Sequence, residues 1–194
     1  MQPGSLHQHL TDFLGAKMKL KYKGIYAGAL KSYQALSTCA RLHVAAMLVK
    51  DGRILSVGYN GTAEGQPHCC DQFIRIGDEY FIGEYAPPAE MAQYKVTKEK
   101  WYDEHHKFSE KNEVHAEMNC IAFAIKNNID VTECDLVISI SPCIHCAKLI
   151  TAVGIKNVYY IDDYDRNPSD GLNYLIKNGV KCHKFYEEEE DAKN

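Results

Sequence analysis

Two short segments carry residue types that could together hold a metal ion and move a proton. One is His-Ala-Glu at 115–117, and the other is Pro-Cys-Ile-His-Cys at 142–146. Cys143 and Cys146 are three residues apart at the predicted start of a helix, so their thiols lie on one face of it. The positive end of a helix dipole lowers the pKa of such thiols and favours the thiolates that zinc needs. His115, at another predicted helix start, adds a nitrogen, and the three residues predict a zinc site.

Glu117 favours a catalytic zinc site over a structural one. Three protein ligands leave a fourth tetrahedral position for water, as in catalytic zinc sites. Glu117 lies two residues after His115, too close to be a natural fourth ligand but well placed to take a proton from that water and deliver it to a substrate. The joint pattern H-x-E and P-C-x-x-C is the signature of zinc-dependent nucleobase deaminases. The alternatives are a structural zinc site, or a lone C-x-x-C with an unrelated histidine.

The elements that must position these side chains follow from the hydrophobic pattern. Helices are predicted at 25–37, 115–127, 142–153 and 171–178, and strands at 43–49, 54–59, 136–140, 157–161 and 180–185. Asp51-Gly52 is a hairpin signal between the first two strands. Strands that alternate with helices after an opening hairpin predict an α/β protein with a mixed sheet covered on both faces.

The chain is predicted to form one domain with appendages. Residues 1–24 are weakly patterned and predict a loose arm, and residues 25–186 predict the single domain. Within it, 71–112 is rich in charge and aromatics and predicts a surface insertion with one helix near 89–106. The acidic end, 187–194, predicts a solvated tail.

Composition limits the classes of function. The formal net charge of −4 over 194 residues argues against a nucleic-acid binder, which would present a basic face. No apolar run is long enough to span a membrane, and the start does not read as a secretory signal, so the sequence predicts a cytoplasmic protein with no membrane partner. In a reducing compartment, the eight cysteines favour metal ligands or buried thiols over disulfides.

Several segments together resemble the deoxycytidylate deaminases, especially those of phage and bacterial type. The most discriminating is Gly-Tyr-Asn-Gly at 58–61, followed by the long insertion. The other segments are 37–39, 44–49, 69–71, 112–119, 141–146 and 158–164. The resemblance covers about 25–185 and implies a three-layer α/β/α cytidine-deaminase-like fold with a central mixed five-stranded sheet. It also implies zinc-dependent hydrolysis of dCMP, with or without a 5-substituent, to dUMP and ammonia, which supplies dUMP for thymidylate synthesis.

The resemblance implies four contacts to the base and sugar of the substrate. Asn60 would hydrogen-bond the sugar or base, Glu64 the deoxyribose hydroxyl, and the Ala116 backbone N–H the pyrimidine carbonyl, while Tyr164 would pack on the substrate. Two alternatives stay open: Asn-Gly is also an ordinary turn pair, and Tyr164 could be a core residue.

The 5′-phosphate of such a substrate needs cations, and Arg41 and Lys126 are the candidates, either of them able to serve a neighbouring subunit. Solvated surface charge is the alternative. The chain departs from the family pattern at Ala45, where glycine is common, and at Ala63, where proline often stands. Both departures leave the preference for a 5-methyl or 5-hydroxymethyl group open.

A second zinc, with a structural role, is implied by the resemblance at Cys39, Cys69, His105 and Glu113. These are metal-ligand types near the insertion, and a metal would help to order a long segment with little apolar patterning. The alternative is that Cys69 is a buried thiol and that His105 lies on an exposed helix.

The resemblance further implies a homo-oligomer, a hexamer, activated by dCTP and inhibited by dTTP. A tRNA adenosine deaminase shares the zinc motifs but would need a basic face. A riboflavin-pathway or free-base deaminase fits the insertion and Gly-Tyr-Asn-Gly poorly. A zinc-stabilised, non-catalytic nucleotide-binding protein would have no use for Glu117.

Overall fold

The computed structural model describes residue 18 and residues 20–83, 88–164 and 168–186. Most of the predicted arm and the whole predicted tail lie outside these residues. Among the described helices, none combines the length and apolar character needed to cross a bilayer.

The body is built on a five-stranded mixed sheet, whose strands are β1 (Ala45–Lys50), β2 (Arg53–Tyr59), β8 (Asp135–Ile140), β9 (Asn157–Asp162) and β10 (Lys181–Lys184). Their order across the sheet is β10-β9-β8-β1-β2. β1 pairs antiparallel with both β2 and β8, whereas β8, β9 and β10 are parallel to one another. The left-handed backbone of Asp51 and Gly52 closes the predicted hairpin between β1 and β2.

Helices cover both faces of this sheet. On one face α1 (Leu20–Gln34) packs Tyr26 and Leu30 against alternate residues of β1. The other face carries the remaining long helices of the body, which share one apolar core with the sheet. They are α5 (Ala116–Lys126), α6 (Ile144–Ala152) and α7 (Pro168–Lys177). The predicted three-layer α/β/α fold with a mixed five-stranded sheet is confirmed.

The insertion has a core of its own, which corrects the expectation of little apolar patterning. Phe73, Tyr80 and Trp101 are buried together with Cys39 and Cys69. Aromatic rings, rather than the aliphatic periodicity that predicts ordinary elements, fill this core. Its elements are α2 (Cys69–Gln72), β4 (Phe73–Ile76), β5 (Glu79–Ile82), α3 (Pro88–Met91), β6 (Lys95–Val96) and α4 (Lys98–Asn112). β4, β5 and β6 form a separate three-stranded sheet.

The predicted bounds of two helices were wrong. The first helix begins at Leu20 rather than at 25, within the predicted arm, because Tyr22 and Tyr26 stack at 5.9 Å and extend its apolar face. The insertion helix α4 begins at Lys98 rather than near 89, because Thr97 caps it by accepting a 3.2 Å hydrogen bond from the Lys100 N–H.

Candidate active site

The predicted zinc ligands meet where two helices begin. His115 is the N-cap residue of α5, and Cys143 is the N-cap residue of α6. The Nδ1 atom of His115 lies 3.5 Å from the Sγ of Cys143 and 3.4 Å from the Sγ of Cys146. The three donor atoms lie within 4.8 Å of one another. Nitrogen and sulfur donors that converge in this way form the ligand set that zinc prefers.

The electrostatics of this trio also fit a divalent cation. The hydrogen bond from Cys146, and after it the one with His115, lowers the pKa of Cys143 to about 3. The Cys143 sulfur in turn raises the pKa of His115 to about 9, and it raises that of Cys146. The Cys143 thiolate is therefore stabilised by hydrogen bonds from the protonated side chains of His115 and Cys146. A zinc ion can replace those protons, because it binds thiolates and neutral imidazole.

Glu117 lies in the first turn of α5 and is only 4% exposed. Burial raises the pKa of its carboxyl group, while the nearby His115 opposes the rise. A carboxyl whose pKa moves towards neutrality is suited to accept and return a proton.

A pocket of about 610 Å³ opens over these residues. Its wall includes His115, Glu117 and Cys143, and it continues along Ile140 and Ser141 at the end of β8. Its volume lies within the range of small-ligand pockets.

Asn60 follows β2 and lines the pocket, but most of its amide is already engaged. Its Oδ1 accepts hydrogen bonds from the Ser37 hydroxyl at 2.7 Å and from the Val44 N–H at 2.8 Å. Its Nδ2 donates to the Leu42 carbonyl at 2.9 Å. One amide hydrogen remains beyond these three bonds. Asn60 therefore holds the loop before β1 in place as well as facing the pocket.

The structure brings four of the six predicted substrate-contacting residues to the pocket: Asn60, Ala116, Tyr164 and Arg41. The Arg41 guanidinium stands 5.4 Å from the centroid of the Tyr102 ring. Glu64 and Lys126 are exposed and are not part of the pocket wall.

The residues of the predicted second zinc site also converge. Cys39, Cys69 and His105 place one donor atom each within 4.8 Å of one another, and the Sγ of Cys39 is 3.4 Å from the Nε2 of His105. The hydrogen bond from Cys69, and after it the one with His105, lowers the pKa of Cys39 to about 3. His105 is only 3% exposed, so it does not face solvent as the alternative assumed.

Glu113 stands beside these three residues. Burial, and after it the nearby Cys39, raises the pKa of its carboxyl group. Its Oε2 accepts a 2.6 Å hydrogen bond from Ser109, whereas its buried Oε1 has no hydrogen-bond partner among the described residues. A buried carboxylate oxygen without a donor is costly, and a bound cation would satisfy it.

Sequence reasoning missed the part of the wall that α4 supplies. His106, Ser109 and Glu110 line the pocket, and the His106 Nε2 lies 3.3 Å from a Glu110 carboxylate oxygen. Ser109 and Glu110 follow His106 at the i+3 and i+4 spacing of one helix face, so extending the predicted insertion helix beyond His106 would have located them.

Comparison with known proteins agrees with this geometry. A family model described as the cytidine and deoxycytidylate deaminase zinc-binding region matches residues 21–162. The chain belongs to this family. Deoxycytidylate deaminase of Enterobacteria phage T4 is 34% identical over 152 residues, which cover 73% of this chain and 78% of that protein. The phage T2 enzyme is 33% identical over 153 residues, covering 73% and 80%.

A solved member of the deaminase family has the same architecture. The dCMP deaminase of cyanophage S-TIM5, crystallised with dCMP and dUMP, aligns with a TM-score of 0.62 and 28% identity. The alignment covers 87% of this chain and 99% of that one. The family resemblance drawn from the motifs is therefore confirmed, and a tRNA adenosine deaminase or a non-catalytic binding protein is not favoured.

Proposed function

We propose that the protein hydrolyses dCMP to dUMP and ammonia and so supplies dUMP for thymidylate synthesis. The observation that carries the proposal is the meeting of His115, Cys143 and Cys146 beside the buried Glu117, in a pocket of nucleotide size. Named deoxycytidylate deaminases among the relatives, and a structural neighbour that binds dCMP and dUMP, support the choice of substrate.

Each residue then has a role in the reaction. Zinc held by the trio would supply a Lewis acid that lowers the pKa of water. Glu117 accepts the proton of the attacking water and delivers it to N3 of cytosine as the oxygen adds to C4. Glu117 next takes the proton of the new C4 hydroxyl and carries it to the exocyclic amine. The C4–N bond then breaks as the C4 carbonyl forms, ammonia leaves, and one water is consumed for each dUMP formed.

The pocket wall supplies the binding contacts. The remaining amide hydrogen of Asn60 faces the sugar or base, the Ala116 N–H at the start of α5 meets the pyrimidine carbonyl, and Tyr164 packs on the substrate. Arg41 meets the 5′-phosphate. Glu64 is the candidate contact for the deoxyribose hydroxyl, and Lys126 would reach the phosphate bound at a neighbouring subunit.

A second zinc at Cys39, Cys69, His105 and Glu113 would clip the insertion to the body. The converging donors and the unsatisfied Oε1 of Glu113 support it. Metal analysis of the purified protein should give two zinc ions per chain, and one in the His105→Ala variant. A count of one in the unaltered chain contradicts the second site.

Regulation and assembly complete the proposal. By likeness to the family, the protein would be a cytoplasmic hexamer that dCTP activates and dTTP inhibits. No disulfide joins any of the eight cysteines, all of which the structure describes. Light scattering tests the hexamer, and initial rates with each nucleotide test the regulation; a rate that ignores both rejects it.

A substrate panel tests the central claim. The protein is incubated with dCMP, 5-methyl-dCMP, dCTP, cytidine or tRNA, and deamination of the cytosine base, or of the adenine base in tRNA, is followed by the change in ultraviolet absorbance. We expect rapid turnover of dCMP and little of cytidine or tRNA. Turnover of cytidine or tRNA with none of dCMP overturns the proposal, and the rate on 5-methyl-dCMP decides whether the pocket admits a 5-substituent.

A further inference from the structure

Two glycines lie in close contact with the backbone segments that carry the predicted zinc ligands. Gly171 lies in the first turn of α7 and is buried against the turn before α6. A Cβ atom at Gly171 would stand 1.9 Å from the carbonyl oxygen of Pro142, 2.9 Å from its carbonyl carbon and 3.1 Å from that of Cys143. Real Cβ atoms essentially never come within 3.0 Å of another heavy atom, so any side chain here must displace α7 or the Pro142–Cys143 backbone.

Gly58 does the same on the other half of the site. It lies in β2, where a Cβ would stand 2.4 Å from the carbonyl oxygen of Ala116 and 2.4 Å from the Cys120 nitrogen. Both contacts are to the backbone of α5, the helix that His115 caps and that carries Glu117. The three atoms of the described residues that lie nearest to this Cβ all belong to the backbone, so relief cannot come from rotating a side chain.

Space, and not backbone conformation, requires glycine at these two positions. Other described glycines, such as Gly52 and Gly179, have positive φ, the region that side chains rarely adopt, but Gly58 and Gly171 do not. Any residue could adopt their backbone angles. What a side chain would change is the distance between the supporting element and the ligand-bearing segment.

We propose that Gly58 and Gly171 are positioning residues that set the separation of the two halves of the zinc centre. β2 approaches the His115 half through Gly58, and α7 approaches the Cys143 half through Gly171. Zinc–ligand distances lie within about 0.2 Å of their standard values, so a backbone shift of the size that a methyl group forces would degrade the coordination. The inference rests on the proposed zinc-dependent function, and Gly171 lies beyond residues 21–162, where the family match ends.

The test measures metal binding rather than turnover. The protein and its Gly171→Ala variant are stripped of zinc and titrated with Co²⁺, whose visible absorption reports the geometry of thiolate coordination, and zinc affinity is measured by competition with a chelator. Both are made in a His105→Ala background, so that only the catalytic site is read. We expect a changed Co²⁺ spectrum and zinc binding weaker by about tenfold to a hundredfold, the usual effect of disturbing a ligand's supporting contacts.

Two control variants separate positioning from general loss of stability. Gly28→Ala replaces a glycine of α1 around which a Cβ would meet nothing within 4 Å, and it should leave both readouts unchanged. Leu175→Ala removes a fully buried side chain of α7 and should lower the melting temperature without altering the Co²⁺ spectrum. A Gly171→Ala variant that folds with the parent spectrum and affinity overturns the proposal for α7.

Gly58→Ala is the second variant, and it should disturb the same spectrum from the His115 half. If neither glycine variant folds while Gly28→Ala does, the two glycines serve the fold as a whole and the proposal is wrong. A chain that binds Co²⁺ normally but does not deaminate dCMP would reject the proposed function instead and leave the positioning claim standing.

Discussion

At the scale of single residues, Glu117 decides between catalysis and mere metal binding. A structural zinc site gains nothing from a carboxyl that is buried, uncoordinated and raised in pKa. Burial is the main cause of that raised pKa, so keeping the ionised carboxyl beside the ligands lowers the stability of the fold. Strongly perturbed pKa values of this kind are typical of functional positions.

The Glu117→Gln variant tests this role directly. Glutamine has nearly the same shape but cannot carry a proton, so we expect kcat to fall by about a hundredfold to ten-thousandfold while zinc content stays unchanged. Turnover of dCMP and metal analysis of the same preparation measure the two effects. Glu99→Gln, which changes an exposed residue of α4, is the matched control and should leave both values alone. A Glu117→Gln enzyme with near-normal kcat would show that another group moves the proton.

At the scale of elements, α4 joins the insertion to the active site. It contributes His105 to the group of possible metal ligands formed with Cys39 and Cys69, and His106 to the pocket wall. It ends at the two-residue strand β7 (Glu113–Val114). β7 pairs with β3 (Gly61–Thr62) and runs directly into His115. Only a few residues of chain therefore separate the folded insertion from the catalytic ligand His115, so the structure of one affects the position of the other.

The single tryptophan of the chain gives an optical report on this element. The Trp101 ring stacks on His105 with centroids 5.1 Å apart, and it also contacts Phe73 at 5.8 Å. We expect its fluorescence to change when the insertion metal is withdrawn by a chelator, because His105 is then released. The change should be absent in His105→Ala and retained in Cys143→Ser. A Cys143→Ser variant whose fluorescence ignores the chelator would show that no metal sits beside Trp101.

The start of β8 predicts a dependence of stability on pH. Burial raises the pKa of Asp135, although Asn157 donates a 2.8 Å hydrogen bond to its carboxylate and lowers it in part. A carboxyl with a raised folded-state pKa contributes stability that is fully present below its unfolded pKa and is lost as pH rises through the folded pKa. Asp135→Asn, which can still accept the bond from Asn157, should therefore be more stable than the parent at pH 7.

That advantage should shrink as pH falls towards about 4, where the aspartate becomes protonated in both folded and unfolded chains. Urea unfolding of both proteins at a series of pH values measures it. Asp163→Asn, at an exposed site paired with Lys184, is the comparison and should show no gain at pH 7. An Asp135→Asn protein that is less stable at every pH contradicts the prediction.

At the scale of the whole molecule, the sequence predicts those features that short motifs and the local hydrophobic period determine. The H-x-E and P-C-x-x-C segments and the alternating elements locate the catalytic cluster and the layers, because motif spacing and hydrophobic period are local properties. The core around Trp101 could not be predicted, since aromatic residues far apart in sequence build it and no single segment shows a period. The positioning role of Gly58 and Gly171 could not be predicted for a related reason: only the packed structure shows which atoms a side chain would meet at these positions.

Metal removal should destabilise the entire chain, because the ligands tie distant segments together. His115 and Cys143 belong to different helices on one face of the sheet, and Cys39 and His105 join the body to the insertion. A ligand that binds only the folded state stabilises it by about 2.7 kcal/mol when its free concentration is a hundred times its Kd. For a domain of this size that is a shift of roughly 5–10 °C in melting temperature.

Calorimetry with buffered zinc measures this shift. The melting temperature should rise with zinc in the parent and in the control Cys182→Ala, which changes a residue of neither cluster. It should hardly rise in a chain that lacks both Cys143 and His105. A parent whose melting temperature ignores zinc would mean that the two clusters do not bind it.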